Sequence, residues 1–270
     1  MKLLHFAVLC FIGLGLSPLE AQKKSQSSEY PSPLIREERA VEVNGVEETW
    51  QLRWAAPPKP VCEPSDVSLT CPCQGFAYGE GGELDVVRLR NGSEVDRLHI
   101  TPLFDERVIV PERVAIVQRW PTDYEKDFDA SLQDDFQADV AKRPVVQVMH
   151  FADYDHDGAA TEFYLQTEAL PCGKSFGIVI GISRTIPQLH VFGTASHPGK
   201  PLHLQKHEWE ALRDATGPVE VLDWPCGDHG SQIQTVLRLH WTADGIEGAE
   251  RSLECTREGN PGEFISEEPL

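Results

Sequence analysis

The chain has 270 residues and a formal net charge of −19. Such an excess of carboxylates repels nucleic-acid phosphates and anionic membranes, and no cluster of Lys and Arg offsets it, so nucleic acid is not an expected partner. Six Trp are ample for a packed core and argue against wholesale disorder.

The N-terminus has the composition of a secretory signal peptide. Lys2 precedes an apolar run from Leu3 to Leu16, and the small residue Ala21 precedes a polar sequence. The run is too short for a membrane span. We predict a signal peptide at 1–21 and a secreted or periplasmic protein, with no membrane insertion after the signal is removed.

Removing the signal peptide leaves an even number of cysteines: Cys62, Cys71, Cys73, Cys172, Cys226 and Cys255. In an oxidising compartment an even number favours disulfides. Cys172 with Cys226 is the pair we predict, because each lies in a Pro-Cys-Gly turn after a β-like run. Zinc at Cys71 and Cys73 is the alternative, although Cys-Pro-Cys lacks the spacing with which two thiolates grip one ion.

Residues 22–38 are polar and predicted to be a flexible tether, and residues 39–256 a β-rich domain. Its first hairpin runs from Ala40 to Trp54 and turns at an Asn-Gly pair. Apolar and polar residues alternate in its second arm, so we predict that Trp50 and Trp54 lie in the core. A sugar-stacking platform is the alternative role for these tryptophans.

A proline-rich stretch near 57–70 is predicted to be a loop or a boundary between subdomains. After it, a second hairpin from Leu84 to Ile100 turns at Asn91-Gly92. Further strands are predicted at 108–110, 114–117, 175–183, 188–193, 219–224 and 233–241, and a last β-like piece reaches Cys255. The polar tail, 257–270, is expected to be loose.

Two segments have helical periodicity. In the first, 123–143, apolar residues recur every four positions and form one stripe: Phe128, Leu132, Phe136 and Val140. The second, His203 to Gly217, has Trp209 and Leu212 as inward anchors. His203 and His207 are four residues apart, which leaves zinc binding as an alternative for this helix. The predicted fold class is therefore mainly β, with antiparallel hairpins forming a sandwich or a partial propeller-like sheet and two short helices.

An acidic loop lies between two β-prone runs, Val145 to Phe151 and Thr161 to Thr167. Aspartates at alternate positions, Asp153, Asp155 and Asp157, can curl their oxygens around one centre, and the following glycine permits the sharp bend. Without a cation, two carboxylates about 4 Å apart repel by roughly 4 kcal/mol at an effective dielectric constant near 20. The pattern predicts a calcium site, with a solvated acidic turn as the alternative.

The loop resembles the calcium loops of FG-GAP and VCBS repeats, as in integrin alpha-chain propellers. The resemblance implies side-chain ligands at Asp153, Asp155 and Asp157 and a carbonyl ligand from Ala159. Those loops usually have an acid at the ninth position, which is Thr161 here, and Glu162 follows it. The last ligand is therefore Glu162 acting through a small bulge or Thr161 acting through water.

An EF-hand is not expected, because the twelfth loop position is Tyr164 instead of glutamate and the flanks lack a helical period. These observations predict a protein that binds Ca²⁺ in a structural or binding role, with a protein or glycan partner. The alternative is an extracytoplasmic hydrolase with a calcium-stabilised scaffold, using Asp228, His229 and Ser231. No G-x-S-x-G motif supports an enzyme.

Overall fold

The computed structural model describes residues 34–63, 73–104, 114–123, 126–127, 135–170, 174–242 and 244–270. The predicted signal peptide, residues 22–33 of the predicted tether, the predicted strand at 108–110, and the cysteines Cys71 and Cys172 lie outside these ranges. The described residues belong to one compact unit, Pro33–Leu270.

Two Asn-Gly turns organise the first sheet. Strands β1 (Leu34–Val43) and β2 (Val46–Trp54) are joined by Asn44 and Gly45, whose φ angles of 52° and 76° are both left-handed, as a tight hairpin requires. The second hairpin, β5 (Leu84–Arg90) and β6 (Ser93–His99), repeats this geometry. The four strands form sheet A in the order β1-β2-β5-β6, so both predicted hairpins are confirmed.

The other described strands form three more antiparallel sheets. Sheet B is β3 (Lys59–Val61), β4 (Gly79–Gly82) and β7 (Ala115–Gln118). Sheet C is β8 (Glu162–Ala169), β9 (Ser175–Gly181), β10 (His190–Val191) and β11 (Leu204–Gln205). Sheet D is β12 (Val219–Trp224), β13 (Ile233–Thr242), β14 (Gly245–Cys255) and β15 (Pro261–Pro269). The mainly β class is confirmed.

Short helices accompany the sheets: α1 (Cys73–Phe76), α2 (Phe136–Val140) and α3 (Lys206–Asp214). Helix α3 begins at a capping box, in which Glu208 accepts a hydrogen bond from the Gln205 N–H at 2.8 Å. Its predicted anchors, Trp209 and Leu212, are buried. His203 precedes this helix, so the prediction that both histidines lie on it was wrong.

Sheet C is the middle layer of the fold. Side chains alternate across a strand, and in β8 they divide between two cores. Phe163 and Leu165 pack with sheet A in one hydrophobic cluster. On the opposite face of the sheet, Tyr164 and Val179 pack with α3 and sheet D in another. Trp50 is fully buried in the first cluster, which confirms the prediction that it belongs to the core.

Three predictions about the chain's ends and cysteines were wrong. The predicted tether overlaps β1, because Leu34 pairs with Trp54. The tail expected to be loose contains β15, which pairs along β14 through backbone hydrogen bonds although its side chains are mostly exposed. Cys226 bonds Cys255, not Cys172, because the hairpin β13–β14 brings the end of β14 beside the turn after β12. Cys62 is also disulfide-bonded.

Candidate metal centre

The acidic loop is closed at its base by one pair of backbone hydrogen bonds. The Ala152 N–H donates to the Glu162 carbonyl at 2.8 Å, and the Glu162 N–H donates back at 3.3 Å. Before this bridge, residues 145–151 form no regular strand, contrary to the prediction. The N–H groups of Val148 and Met149 donate instead to the carboxylate of Glu37, at 2.7 and 3.2 Å, which holds this segment to β1.

The loop's own carboxylates hold its shape. The N–H of Asp157 donates to Asp155 Oδ1 at 3.1 Å, and the N–H of Gly158 donates to Asp153 Oδ2 at 3.0 Å. The Ala159 N–H donates to Asp157 Oδ1 at 2.9 Å. These bonds are local side-chain to backbone turns, which Asp forms readily. Gly158 has a φ of 93°, the left-handed conformation for which the glycine was predicted.

Three carboxylates converge on one point. Asp153, Asp155 and Glu162 each offer an oxygen, and these oxygens all lie within 4.8 Å of one another. Within the described part of the chain, this is the one group of His, Cys, Asp or Glu side chains close enough to share a metal ion. An acidic triad that could hold a cation is therefore present.

Glu162 is fixed at the bottom of this group. Its side chain is fully buried, and it accepts hydrogen bonds from the Tyr154 N–H at 2.8 Å and from the Thr161 hydroxyl. The Thr161 hydroxyl is also 3.4 Å from the Ile182 carbonyl oxygen, at the geometric limit of a hydrogen bond. Thr161 thus orients the carboxylate of its neighbour.

The electrostatics of the triad are unfavourable without a cation. Burial raises the pKa of Glu162 to about 8, with a further contribution from the charge of Asp155. Burial also raises the pKa of Asp155 to about 6, assisted by the neighbouring charges of Asp157 and Asp153. Removing carboxylates from water and placing them together disfavours their ionised forms. A bound cation would reverse this effect.

The geometry distinguishes among the predicted ligands. Asp153, Asp155 and Glu162 are brought together, whereas Asp157 lies outside that group. Ligation by Asp157, the Ala159 carbonyl and Thr161 stays a prediction. Glu162, the first residue of β8, is held in the group by the hydrogen bonds that its carboxylate accepts from the Tyr154 N–H and the Thr161 hydroxyl. In the sequence, the signal for Glu162 as a ligand was its position directly after the ninth loop position, where an acid was expected.

A cleft of about 460 Å³ opens beside the loop. Asp155, His156 and Asp157 line it from the acidic loop, and Trp241 and Asp244 line it from the end of β13 and the turn that follows. The ring centroids of His156 and Trp241 are 6.3 Å apart. The acidic loop therefore shapes one side of a recess that is large enough for a small ligand.

The residues suggested for a hydrolase, Asp228, His229 and Ser231, do not form one hydrogen-bonded chain. The Ser231 hydroxyl donates to the Ile233 carbonyl at 2.6 Å, and Lys174 Nζ pairs with the Asp228 carboxylate at 2.7 Å. His229 Nε2 is 3.6 Å from Asp228. This arrangement does not form the nucleophile–base–carboxylate relay that the alternative requires.

Comparison of the chain with protein-family models, curated proteins and solved structures finds no match. Within the described ranges, no helix is long and apolar enough to cross a membrane. The disulfide Cys226–Cys255 is compatible with an extracellular location.

Proposed function

We propose that the acidic loop binds one calcium ion through Asp153, Asp155 and Glu162, and that the ion stabilises an exported β-rich binding protein. The observation that carries this proposal is Asp153 Oδ1, which is buried and has no hydrogen-bond partner. A buried polar atom without a hydrogen-bond partner costs free energy. Asp153, which carries this oxygen, is a member of the triad. An ion there would satisfy it.

The size of the triad suits calcium. Calcium binds oxygen ligands at 2.3–2.6 Å, so two oxygens on opposite sides of the ion are about 4.6–5.2 Å apart. The triad's oxygens lie within 4.8 Å of one another. All of the side-chain donors are oxygens, the ligand type that hard divalent cations prefer. Asp157, the Ala159 carbonyl, Thr161 through water, and solvent would complete a shell of the FG-GAP type.

The ion's role in this proposal is structural. Calcium would turn the repulsion among three carboxylates into attraction and hold the wall of the cleft formed by Asp155, His156 and Asp157. If free calcium stood at a hundred times its dissociation constant, the folded state would gain about 2.7 kcal/mol. A protein or glycan partner would then bind a preformed surface.

Thermal unfolding with calcium and with chelator tests the proposal. We expect the wild-type Tm to be higher with calcium, and we expect Asp155→Asn to remove most of that difference. Asp244→Asn is the matched control, because Asp244 is an exposed carboxylate that lines the same cleft and lies outside the triad. Identical Tm values for the wild type in both buffers would rule the site out.

A further inference from the structure

Within the described ranges, the outer edge of β8 is unpaired beyond Glu162 and borders a cavity. Strand β8 pairs with β9 on one side, and on its other side the described part of the chain supplies one bridge, from Ala152 to the first residue of β8, Glu162. A cavity of about 390 Å³ follows the edge beyond that bridge. We define the β8 slot as this cavity, whose walls include Val148, Phe151, Tyr164, Gln166, Lys206 and Arg213.

The direction of the backbone groups along this edge follows from the strand's register. Successive residues of a strand point their N–H and C=O groups to opposite sides. Glu162 faces away from β9, toward Ala152, so Tyr164 and Gln166 must face the same way. Among the described residues, neither of these two has a backbone hydrogen bond on that side.

The opposite strand supports this assignment independently. Tyr164 is paired in register with Val179, and Gln166 with Gly177. The Val179 carbonyl accepts from the Phe192 N–H at 3.1 Å, and the Gly177 carbonyl accepts from the Trp209 indole at 3.1 Å. Both carbonyls therefore point away from β8. In a non-hydrogen-bonded pair each partner points away from the other.

The segment that would have covered this edge is held elsewhere. Residues 146–151 would continue antiparallel to β8 beyond the Ala152 bridge, but Glu37 binds the N–H groups of Val148 and Met149. The His150 N–H donates to the Val148 carbonyl at 2.8 Å, which turns the chain further. The space opposite Tyr164 and Gln166 is left as the slot.

We propose that the β8 slot binds an extended peptide of a partner protein, which adds a strand to sheet C. The peptide would exchange hydrogen bonds with the N–H and C=O groups of Tyr164 and Gln166, over about three residues at a rise of about 3.3 Å each. Residues 146–151 would flank it on one face and helix α3 on the other. The bound peptide would thus lie beside β8 as an additional strand of sheet C.

Charge at the slot sets a side-chain preference. Lys206 is weakly paired, since its Nζ is 3.9 Å from Glu210 and its side chain is 61% exposed. Arg213 also lines the slot, so two cations face the single carboxylate of Glu210 there, and on a chain with a net charge of −19 this makes the slot a local site for an acidic group. The bound peptide therefore has an Asp or Glu that reaches Lys206. This inference does not depend on the metal site.

Amide hydrogen exchange of the full-length protein tests the free edge first. The N–H groups of Phe163 and Leu165 lie in the ladder with β9, so we expect those of Tyr164 and Gln166 to exchange at least about tenfold faster. Equal protection of all four amides would show that the edge is already paired, and the proposal would be overturned.

Selection from a library of random linear nonapeptides tests binding. Gln166→Pro removes the outward N–H and leaves the ladder with β9 intact, because proline is tolerated on a free strand edge. Gln166→Ala is the matched control, since both variants lose the side-chain hydrogen bond to the Gly75 carbonyl. Equal Tm values for the two variants establish that proline disturbs the fold no more than alanine does.

We expect the selected peptides to bind the wild type and Gln166→Ala alike, and to bind Gln166→Pro at least about tenfold more weakly. They should contain an acidic residue and lose affinity for Lys206→Glu. A library that yields no binder, or binders indifferent to Gln166→Pro, overturns the proposal. Binders that depend on Gln166 but lack an acidic residue overturn the role of Lys206.

Discussion

Glu162 accepts a hydrogen bond from the backbone N–H of Tyr154 at 2.8 Å, and this contact ties the start of β8 to the interior of the acidic loop. The same carboxylate belongs to the triad. One buried side chain therefore serves both the loop's conformation and the proposed ion.

Replacing Glu162 with Gln separates these two roles. The amide oxygen can still accept from Tyr154, and a neutral side chain removes the repulsion with Asp155. We expect the Tm of Glu162→Gln in chelator to equal or exceed that of the wild type, while the increase with calcium is lost. Differential scanning calorimetry measures both quantities. A large loss of stability in chelator would contradict this account.

The stability of the calcium-free protein should fall as pH rises from about 4 to about 8. The pKa of Asp155 is raised to about 6 and that of Glu162 to about 8, mainly by burial. An acid whose pKa is higher in the folded state costs no stability while it is protonated in both states, below about pH 4. Its cost grows as it ionises and is complete above its folded pKa.

Calcium should reverse this trend, because the ion binds the ionised carboxylates. The difference in Tm between calcium and chelator should therefore widen between about pH 4 and about pH 8. Unfolding curves at each pH in both buffers measure it. The Asp155→Asn and Glu162→Gln double variant should have a flatter pH profile in chelator, and an unchanged profile would contradict the assignment.

Glu48 is the centre of a buried ion-pair network in sheet A. Its carboxylate is paired with Arg88 at 2.9 Å and with Arg90 at 2.7 Å, and the bonds to these arginines lower its pKa although burial opposes this. Glu48→Ala would leave Arg88 buried without its main partner, at a cost of about 3–5 kcal/mol. Urea unfolding measures the loss. Glu47→Ala, at an exposed position, should change stability by less than about 0.5 kcal/mol.

Gly177 has no room for a side chain. A Cβ atom there would meet the Leu165 carbonyl oxygen and lie 2.6 Å from the Tyr164 ring. We expect Gly177→Ala to destabilise the protein by about 1–3 kcal/mol, as overpacking does in a close-packed interior. Gly199→Ala is the matched control, because open space surrounds that position. Equal unfolding free energies for the two variants would contradict the packing described for sheet C.

The disulfide Cys226–Cys255 closes a segment with a sequence separation of 29 residues. Loop-closure entropy for that length predicts that the double variant Cys226→Ser, Cys255→Ser loses about 3–4 kcal/mol. Denaturant unfolding of the variant and the wild type, both without reductant, measures the difference. No change in the midpoint would mean that the edges of sheet D are held by their backbone ladders alone.

Local signals predicted much of this fold. The Asn-Gly pairs fix both hairpins because few other sequences tolerate two left-handed residues in succession, and the period of α3 identified Trp209 and Leu212. The misses depended on partners distant in sequence. Glu37 accepts a hydrogen bond from the backbone N–H of Val148, which is 111 residues away in sequence. The tail forms a strand because it pairs with β14.

The metal centre was predictable only in part, because some of its ligands follow a local sequence pattern and one depends on distant contacts. The alternating aspartates were visible as a local pattern, and two of the three converge. Glu162 could not be placed from the pattern alone, because its direction depends on the bridge to Ala152 and on the burial of β8 between two cores. Once β8 is known to begin at Glu162, the alternation of side chains along the strand places Glu162 on the same face as Tyr164.

The division of the β8 side chains between two hydrophobic clusters has a consequence for dissecting the molecule. Neither cluster is complete without the hairpin β8–β9, so a fragment that ends before Glu162 and one that begins after Gly181 would each expose an apolar surface to water. Truncation at either point should yield aggregating material, and limited proteolysis of the intact chain should leave strands β8 and β9 uncut longest.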